Sequence, residues 1–352
     1  MLDELIRHWY GLEATAAGVS TGWRGLDELY RVTPGELSIV TGVPNSGKSH
    51  WLDALAVRLA DSAGWRIAFA SFEKSVVRHA QNLIELAARQ PMFDPRGLPS
   101  MPPDDFFAAL DFVDRHFLLI RHPDMADEPP PPAALSSLGP ALGGPEGGAQ
   151  AAWGAGADGG GAEGGGKGEE EVEDWLAEAR QPCTIDWVLG KATQAVQRYG
   201  IRGLVIDPYN ELEQRRGSMS ETEYVSSMLS KVKRWAQRYQ VHVWLVAHPK
   251  SMEDWDGSPP SMYDISGSAH WYNKADMGIV VHRYTRVAMD AALRRRAASS
   301  RPSGKPLHFP WSEKETLIKV LKARNRTSGT QGDYTLLYDS AHCSFRDPRE
   351  EG

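Results

Sequence analysis

Glu36-Leu-Ser-Ile-Val-Thr41 running into Gly42-Val43-Pro44-Asn45-Ser46-Gly47-Lys48-Ser49 is the stretch that decides the fold. An apolar run of strand length enters a turn that fits G-x-x-x-x-G-K-[ST] at every fixed position, and an amphipathic helical pattern follows from Ser49 to Ala60. Glycines let backbone N–H groups close around phosphate oxygens, and the start of the helix adds a partial positive charge. Residues 42–49 are therefore the expected nucleotide cradle. Lys48 is expected to reach the β and γ phosphates of ATP. Ser49 is expected to place its hydroxyl on Mg2+, a cation that prefers oxygen ligands and keeps phosphate and water for its remaining positions.

Outward from this turn, short apolar runs alternate with helical patterns. The runs are Arg66-Ile-Ala-Phe-Ala-Ser71, Phe117-Leu-Leu-Ile120, Gly203-Leu-Val-Ile206, Val241-His-Val-Trp-Leu-Val-Ala247 and Met277-Gly-Ile-Val-Val-His282. Runs that are apolar throughout suit strands covered on both faces. Helices are expected over Ser75 to Arg89, Ile185 to Tyr199 and Glu221 to Tyr239. Strand and helix in alternation imply an α/β fold with a mostly parallel sheet flanked by helices. Two further apolar runs between Thr316 and Phe345, parted by a Gly-containing turn, predict a C-terminal β-hairpin.

Ligands of an open parallel sheet gather at the carboxyl ends of its strands. Three polar residues fall there. Asp207 closes Leu204-Val-Ile-Asp207 and is the candidate second metal ligand beside Ser49. Glu73 lies just past Ala68-Phe-Ala-Ser71 and is the candidate base for hydrolysis. His248 ends the strand Val243 to Ala247, either as a sensor of the γ-phosphate or as a strand cap.

The composition narrows the class of protein. The chain has 352 residues and a net charge of −7, which gives no global attraction to nucleic acid, so any such binding is local. It carries no unbroken apolar run of membrane-spanning length. Cys183 and Cys343 stand far apart, which excludes a disulfide framework or a cysteine-rich zinc module. The opening Met1-Leu-Asp-Glu-Leu5 reads as neither a transit peptide nor a secretory signal. Residues 126–170, with four prolines at 129–132 and long glycine runs, have too little apolar surface to offset ordering entropy and are expected to be a disordered insertion within one domain. Residues 287–310, containing Arg294-Arg295-Arg296, are expected to be a mobile basic loop.

Several blocks together resemble the helicase domain of the Twinkle family of organellar DNA helicases, and in outline DnaB and the phage primase-helicases. They are Thr21 to Ser49, Ala70-Ser-Phe-Glu73, Ile201 to Glu211 with its Asp-Pro-Tyr-Asn-Glu, Val243 to Pro249, Asp264 to His270 and Val320-Leu-Lys-Ala-Arg-Asn-Arg326. The Asp-Pro-Tyr-Asn-Glu block is similar to plant and algal members. The resemblance implies a RecA-like P-loop NTPase core over residues 18–346, after a linker-helix remnant at 1–17 and before a short tail at 347–352. It also implies an ATP-dependent helicase that forms a hexameric or heptameric ring and moves 5′ to 3′ on single-stranded DNA. Glu73 is then the base, His248 the γ-phosphate sensor, Arg324 an arginine finger and Lys322 its companion, both acting on a neighbour's nucleotide. Arg324 has no acid near it in sequence to pair with.

Tyr338 is grouped with the nucleotide-binding residues. Lys250 and the segment Ser266, Gly267, Ser268 match the loops that face DNA, where one Lys per subunit and backbone amides can track a phosphate chain. The implied partners are single-stranded and forked DNA, further copies of the chain, an organellar DNA polymerase and a single-strand-binding protein, in the mitochondrion or plastid and away from any membrane. The chain departs from the family at Asn273, where many relatives carry Gln, and no primase half is visible. A RecA/RadA-like repair ATPase and a nucleotide-binding adapter with weak hydrolysis are the competing readings. Arg324, Lys322 and the Asp-Pro-Tyr-Asn-Glu block disfavour the first, and the intact Lys48, Ser49, Glu73 and Asp207 the second.

Overall fold

Each of the apolar runs that surround the P-loop becomes a strand. A computed structural model describes residues 18–123, 181–250, 255–298 and 314–351. In chain order these form α1 (Arg24–Asp27), β1 (Leu37–Thr41), α2 (Lys48–Ala63), β2 (Ile67–Ser71), α3 (Val76–Ala88), α4 (Pro103–His116) and β3 (Phe117–Ile120). There follow α5 (Ile185–Tyr199), β4 (Gly203–Asp207), α6 (Glu221–Tyr239), β5 (His242–Val246), α7 (Ser268–Lys274), β6 (Met277–His282), α8 (Arg286–Ala298), β7 (Glu315–Ala323), β8 (Gly332–Asp339) and β9 (Ser344–Arg346). The sheet has the order β3-β2-β4-β5-β1-β6-β7-β8-β9. Strands β1 to β6 pair in parallel, and β7, β8 and β9 continue antiparallel from β6. The expected hairpin is β7–β8, extended by the short strand β9. Every residue of β1, β4, β5 and β6 is buried, as continuous apolar runs require when helices cover both faces.

Local signals fix the helices that position the site. Helix α2 ends at Gly64 in the left-handed conformation. The Ser75 side chain caps α3 by accepting from Arg78 N, Thr184 caps α5, and Ser220 with Glu223 forms a reciprocal capping box at α6. The core packs Trp23, Trp51, Trp65, Trp244 and Phe69 between α2 and the sheet, all essentially inaccessible to solvent.

Two expectations need correction. Residues 286–298 are helical, not a loop: Ala, Leu, Met and Arg are good helix formers, and Ala288 and Ala291 bury one face of α8. Ser268 belongs to the first turn of α7 and not to the loop expected over residues 266–268. Helix α4 is an addition to the expected elements; its signal is Pro103 in the first turn with Asp104 and Asp105, and Arg115 and His116 in the last. Residues 121–183 form a unit separate from the rest by contact, of which 121–123 and 181–183 are described. The insertion expected at 126–170, the linker expected at 1–17 and residues 299–310 of the basic stretch lie outside the described residues.

Candidate functional site: a P-loop and its acids at one sheet edge

Because β1 to β6 run in parallel, their carboxyl ends share one edge, and that edge collects most of the residues singled out in sequence. The P-loop leaves β1 with Gly42 at φ 156°, and a Cβ there would stand 2.2 Å from the Val281 carbonyl oxygen. Only glycine fits so close to the β6 backbone. Pro44 and Asn45 make the exposed crest after a half-buried Val43, while Ser46 is buried and Gly47 starts α2 at φ 88°. Lys48 folds back over its own loop, its ammonium donating to the carbonyls of Gly42 (2.9 Å) and Val43 (3.0 Å). These two oxygens are the hydrogen-bond partners of an otherwise buried cation.

Asp207, the last residue of β4, is buried beside Ser49, whose side chain favours its ionised form, and its Oδ1 has no protein partner. Ser46 Oγ is likewise buried and unpartnered. A buried carboxylate oxygen beside a hydroxyl is a hard oxygen donor set, and orphaned groups of this kind are what an oxygen-seeking cation and a phosphate would satisfy. The residues present therefore fit Mg2+ held by Ser49 and Asp207, and a nucleotide held by residues 42–49. Burial raises the Asp207 carboxyl above its ordinary range, with Asp53 and Glu73 adding to the rise and Ser49 and Lys74 opposing it. Burial lowers Lys48, against the pull of Asp207 and Glu73.

Glu73 follows β2 by two residues, half-exposed, and its Oε1 lies 3.7 Å from His248 Nε2. Burial, then Lys48, hold His248 below the usual histidine range, with Glu73, Asp207 and Glu211 opposing. The His248 backbone N–H donates to Asn210 Oδ1 (2.9 Å), so the Asp-Pro-Tyr-Asn-Glu block sets the turn that carries the histidine. Lys48, Ser49, Glu73, Asp207 and His248 thus converge. Tyr338 of β8 joins them indirectly: its ring meets that of His50, the residue after Ser49, at 5.1 Å and that of Phe345 at 5.2 Å.

Arg324 and Lys322 do not come to this edge. Strand β7 runs opposite to β6, so its end at Ala323 faces Met277, at the far end of the sheet from the P-loop. Five residues of β1 at about 3.3 Å each separate the two edges. Arg324 has no acid near it in sequence, but folding brings a distant one to it. Asp276, 4% exposed, accepts from Lys233 (2.5 Å) and from Leu37 N (3.1 Å) and forms an ion pair with Arg324, whose Nε lies 3.3 Å away. Arg324 Nη2 donates to the carbonyls of Asn273 (2.5 Å) and Ala275 (3.2 Å). Lys322 bonds the Tyr272 carbonyl and stands 4.8 Å over the Tyr272 ring. Burial, then the adjacent Arg324 charge, bring it down to about 8. Asn273 contributes its main-chain oxygen to this cluster, a role that its shorter amide does not affect.

The two segments expected to face DNA lie side by side. Lys250 N donates to the Asp264 carbonyl (2.8 Å) and Pro249 bridges Ile265, immediately before Ser266 and Gly267. Gly267 is left-handed at φ 70° and starts α7. Lys250 itself is exposed.

Sequence reasoning missed a buried cluster next to the site. Asp53, on α2 four residues after Ser49, is 2% exposed and binds Lys74 Nζ (2.6 Å) and His79 Nε2 (3.0 Å). Burial opposes its ionisation, but the charges of His79 and Lys74 outweigh burial and hold it at about 2. An acid whose folded pKa is depressed stabilises the protein above its unfolded pKa and loses that contribution as pH falls through the folded value. The Asp53 contribution is therefore full above about pH 4 and gone near pH 2, on the order of 2 kcal/mol. The melting-temperature gap between the wild type and Asp53→Asn is expected to narrow across that window. A gap that stays constant would show that Asp53 is not ionised in the folded protein.

The sheet order, the P-loop and the acids at one edge define a RecA-like P-loop ATPase fold with C-terminal antiparallel strands. Over 349 residues, 98% of its length, the chain is 38% identical to the chloroplastic/mitochondrial Twinkle homologue of Arabidopsis thaliana, and it spans 38% of that protein. It also superposes on a solved ATPase domain, with a TM-score of 0.63 and 14% identity over 99% of this chain and 98% of that one. A DnaB-like replicative helicase, solved in a study of its interactions with primase, matches with a TM-score of 0.64 and 15% identity over 98% of this chain and 67% of that one. No protein-family model matches the chain. No helix among the described residues is long and apolar enough to cross a membrane.

Proposed function

We propose that this chain is the motor domain of an organellar replicative DNA helicase, which hydrolyses ATP with Mg2+ between the subunits of a ring and moves 5′ to 3′ on single-stranded DNA. The observation that carries the reading is the placement of the two halves of the chemistry at opposite edges of one sheet. Lys48, Glu73, Asp207 and His248 stand at one edge and Arg324 at the other. A guanidinium that cannot reach its own P-loop can reach a neighbour's, and a ring supplies that neighbour at every site. The resemblance to the Twinkle homologue over 98% of the chain supports the choice of helicase and of mitochondrion or plastid as its compartment.

In this mechanism residues 42–49 wrap the phosphates, and the Lys48 ammonium leaves the Gly42 and Val43 carbonyls for the β and γ phosphates. Mg2+, held through Ser49 and Asp207, neutralises charge on the phosphates when bound. Glu73 takes the proton of the attacking water, and His248, kept neutral, reports the γ-phosphate to the turn held by Asn210. Arg324 and Lys322 of the next subunit stabilise the charge of the transferring phosphoryl group. Lys250 and residues 266–268 hold the DNA backbone, and the paired loops move together because Lys250 N and Asp264 are bonded. The test is ATPase activity with and without single-stranded DNA, together with unwinding of a forked duplex and mass photometry with nucleotide. DNA-stimulated hydrolysis by a ring that unwinds a fork is the expected result. A monomer that hydrolyses ATP without regard to DNA would overturn the helicase reading.

A further inference from the structure

The geometry points to Lys74 as a positioning residue for Glu73, tied through the buried carboxylate of Asp53 to the same helix that presents Lys48 and Ser49. This rests on the reading of Glu73 as the base.

Glu73 sits in the turn between β2 and α3, a place with few constraints of its own. That turn is pinned on both sides. Before Glu73, Phe72 N donates to the Asp207 carbonyl (2.9 Å), so the turn is fastened to the metal-ligand strand. After it, Lys74 Nζ meets Asp53 Oδ2 at 2.6 Å, and one turn into α3 His79 Nε2 meets the other carboxylate oxygen at 3.0 Å. The His79 ring is itself held edge-on against Phe69 of β2 at 4.7 Å. Asp53 therefore bridges both ends of the segment that begins α3. Because Asp53 follows Ser49 by four residues, the two side chains lie one above the other on one face of α2. The chain of contacts from the metal-ligand hydroxyl to the residue after the base is thus one helical turn and two charge-assisted bonds.

The stability that ionisation of Asp53 adds is counted against its own protonated form and does not by itself explain such a cluster in place of apolar residues. A buried ion pair roughly breaks even against well-packed apolar residues, since desolvation cancels most of the attraction. What a bidentate acid provides is direction: two short bonds fix two donors relative to one helix. The Glu73 carboxylate, by contrast, is half-exposed and approaches only His248, at 3.7 Å, among the described ion-pair partners. A base must lie within hydrogen-bond reach of its water, and a displacement of about 1 Å can cost about a hundredfold in rate. The placement of Glu73 is therefore set by its neighbours in the turn more than by contacts of its own.

The experiment uses Lys74→Met, which keeps the stem that covers Asp53 and removes the charge at the partly exposed end of the cluster, alongside Lys74→Arg, Glu73→Gln and the double variant Glu73→Gln/Lys74→Met. Steady-state hydrolysis gives kcat and KM, and a fluorescent N-methylanthraniloyl-ADP titration gives nucleotide affinity. Lys74→Met is expected to lower kcat about ten- to hundredfold while nucleotide affinity stays within about twofold of wild type. Lys74→Arg is expected to recover most of the rate, and in the Glu73→Gln background Lys74→Met is expected to cost nothing further. Full kcat in Lys74→Met, with Glu73→Gln inactive, overturns this inference and leaves the base in place. Loss of affinity in step with the loss of kcat also overturns it, because that is the signature of a disturbed P-loop. Full activity of Glu73→Gln removes the base reading and this inference with it.

Discussion

Glu73→Gln is expected to bind nucleotide as the wild type does and to lose hydrolysis by about two to four orders of magnitude. The amide has the shape of the carboxylate but cannot accept the proton of the attacking water, and general-base contributions are of this size. Ground-state affinity should be untouched, since the Lys48 ammonium and the residue 42–49 backbone do not contact the Glu73 carboxylate directly. The closest ion-pair partner of Glu73 is His248, at 3.7 Å and held in place through its own backbone by Asn210. Lys48→Ala should fail earlier, at binding, because it removes the buried P-loop cation that the proposed mechanism turns to the phosphates. Nucleotide binding and hydrolysis measured on the two proteins separate these effects. A Glu73→Gln protein that turns over at the wild-type rate would remove the catalytic assignment.

The second large effect belongs to Arg324. Its replacement by Ala is expected to leave both folding and nucleotide affinity near wild type and to lower hydrolysis by about three to five orders of magnitude, the worth of a cation that acts on the transition state alone. Folding survives because Asp276 keeps Lys233 and Leu37 N as partners, so the buried carboxylate is not left unpaired. Affinity survives because Arg324 stands across the sheet from its own P-loop. Arg324→Ala and Lys48→Ala are each expected to be inactive alone. Mixed in one ring they create some interfaces in which an intact Arg324 faces an intact Lys48, and partial ATPase activity should return. If the mixture stays as inactive as its parts, the finger does not act between subunits, and the ring mechanism loses its principal support.

The P-loop, the strand-ending Asp207, the post-strand Glu73 and His248 are all legible in sequence for one reason: their positions are fixed by local order. A residue at or just past the end of a parallel strand reaches the ligand edge whatever its neighbours do, so apolar runs such as Gly203 to Ile206 and Val243 to Ala247 locate the acids and the histidine without any tertiary knowledge. The alternation of runs and amphipathic helices settles the parallel sheet in the same way. The 286–298 helix escapes such a reading because Arg294-Arg295-Arg296 and the Ser/Pro/Gly residues beyond dominate the composition, while the buried Ala288 and Ala291 that stabilise α8 carry little hydrophobic signal of their own.

Pairings between distant residues were decided only by the fold. Asp276 reaches Arg324 because β6 and β7 are antiparallel neighbours, and a separation of 48 positions in sequence says nothing of that register. Asp53 reads in sequence as an ordinary polar residue of a helix, yet packing of α2 under the sheet strips its water and leaves Lys74 and His79 as the groups that can satisfy it. Sequence by itself determined which residues stand at the nucleotide edge, because strand polarity is written into the order of elements. Tertiary structure decided which charges are buried and what holds them, because desolvation depends on every element packed around a group and not on its neighbours in the chain.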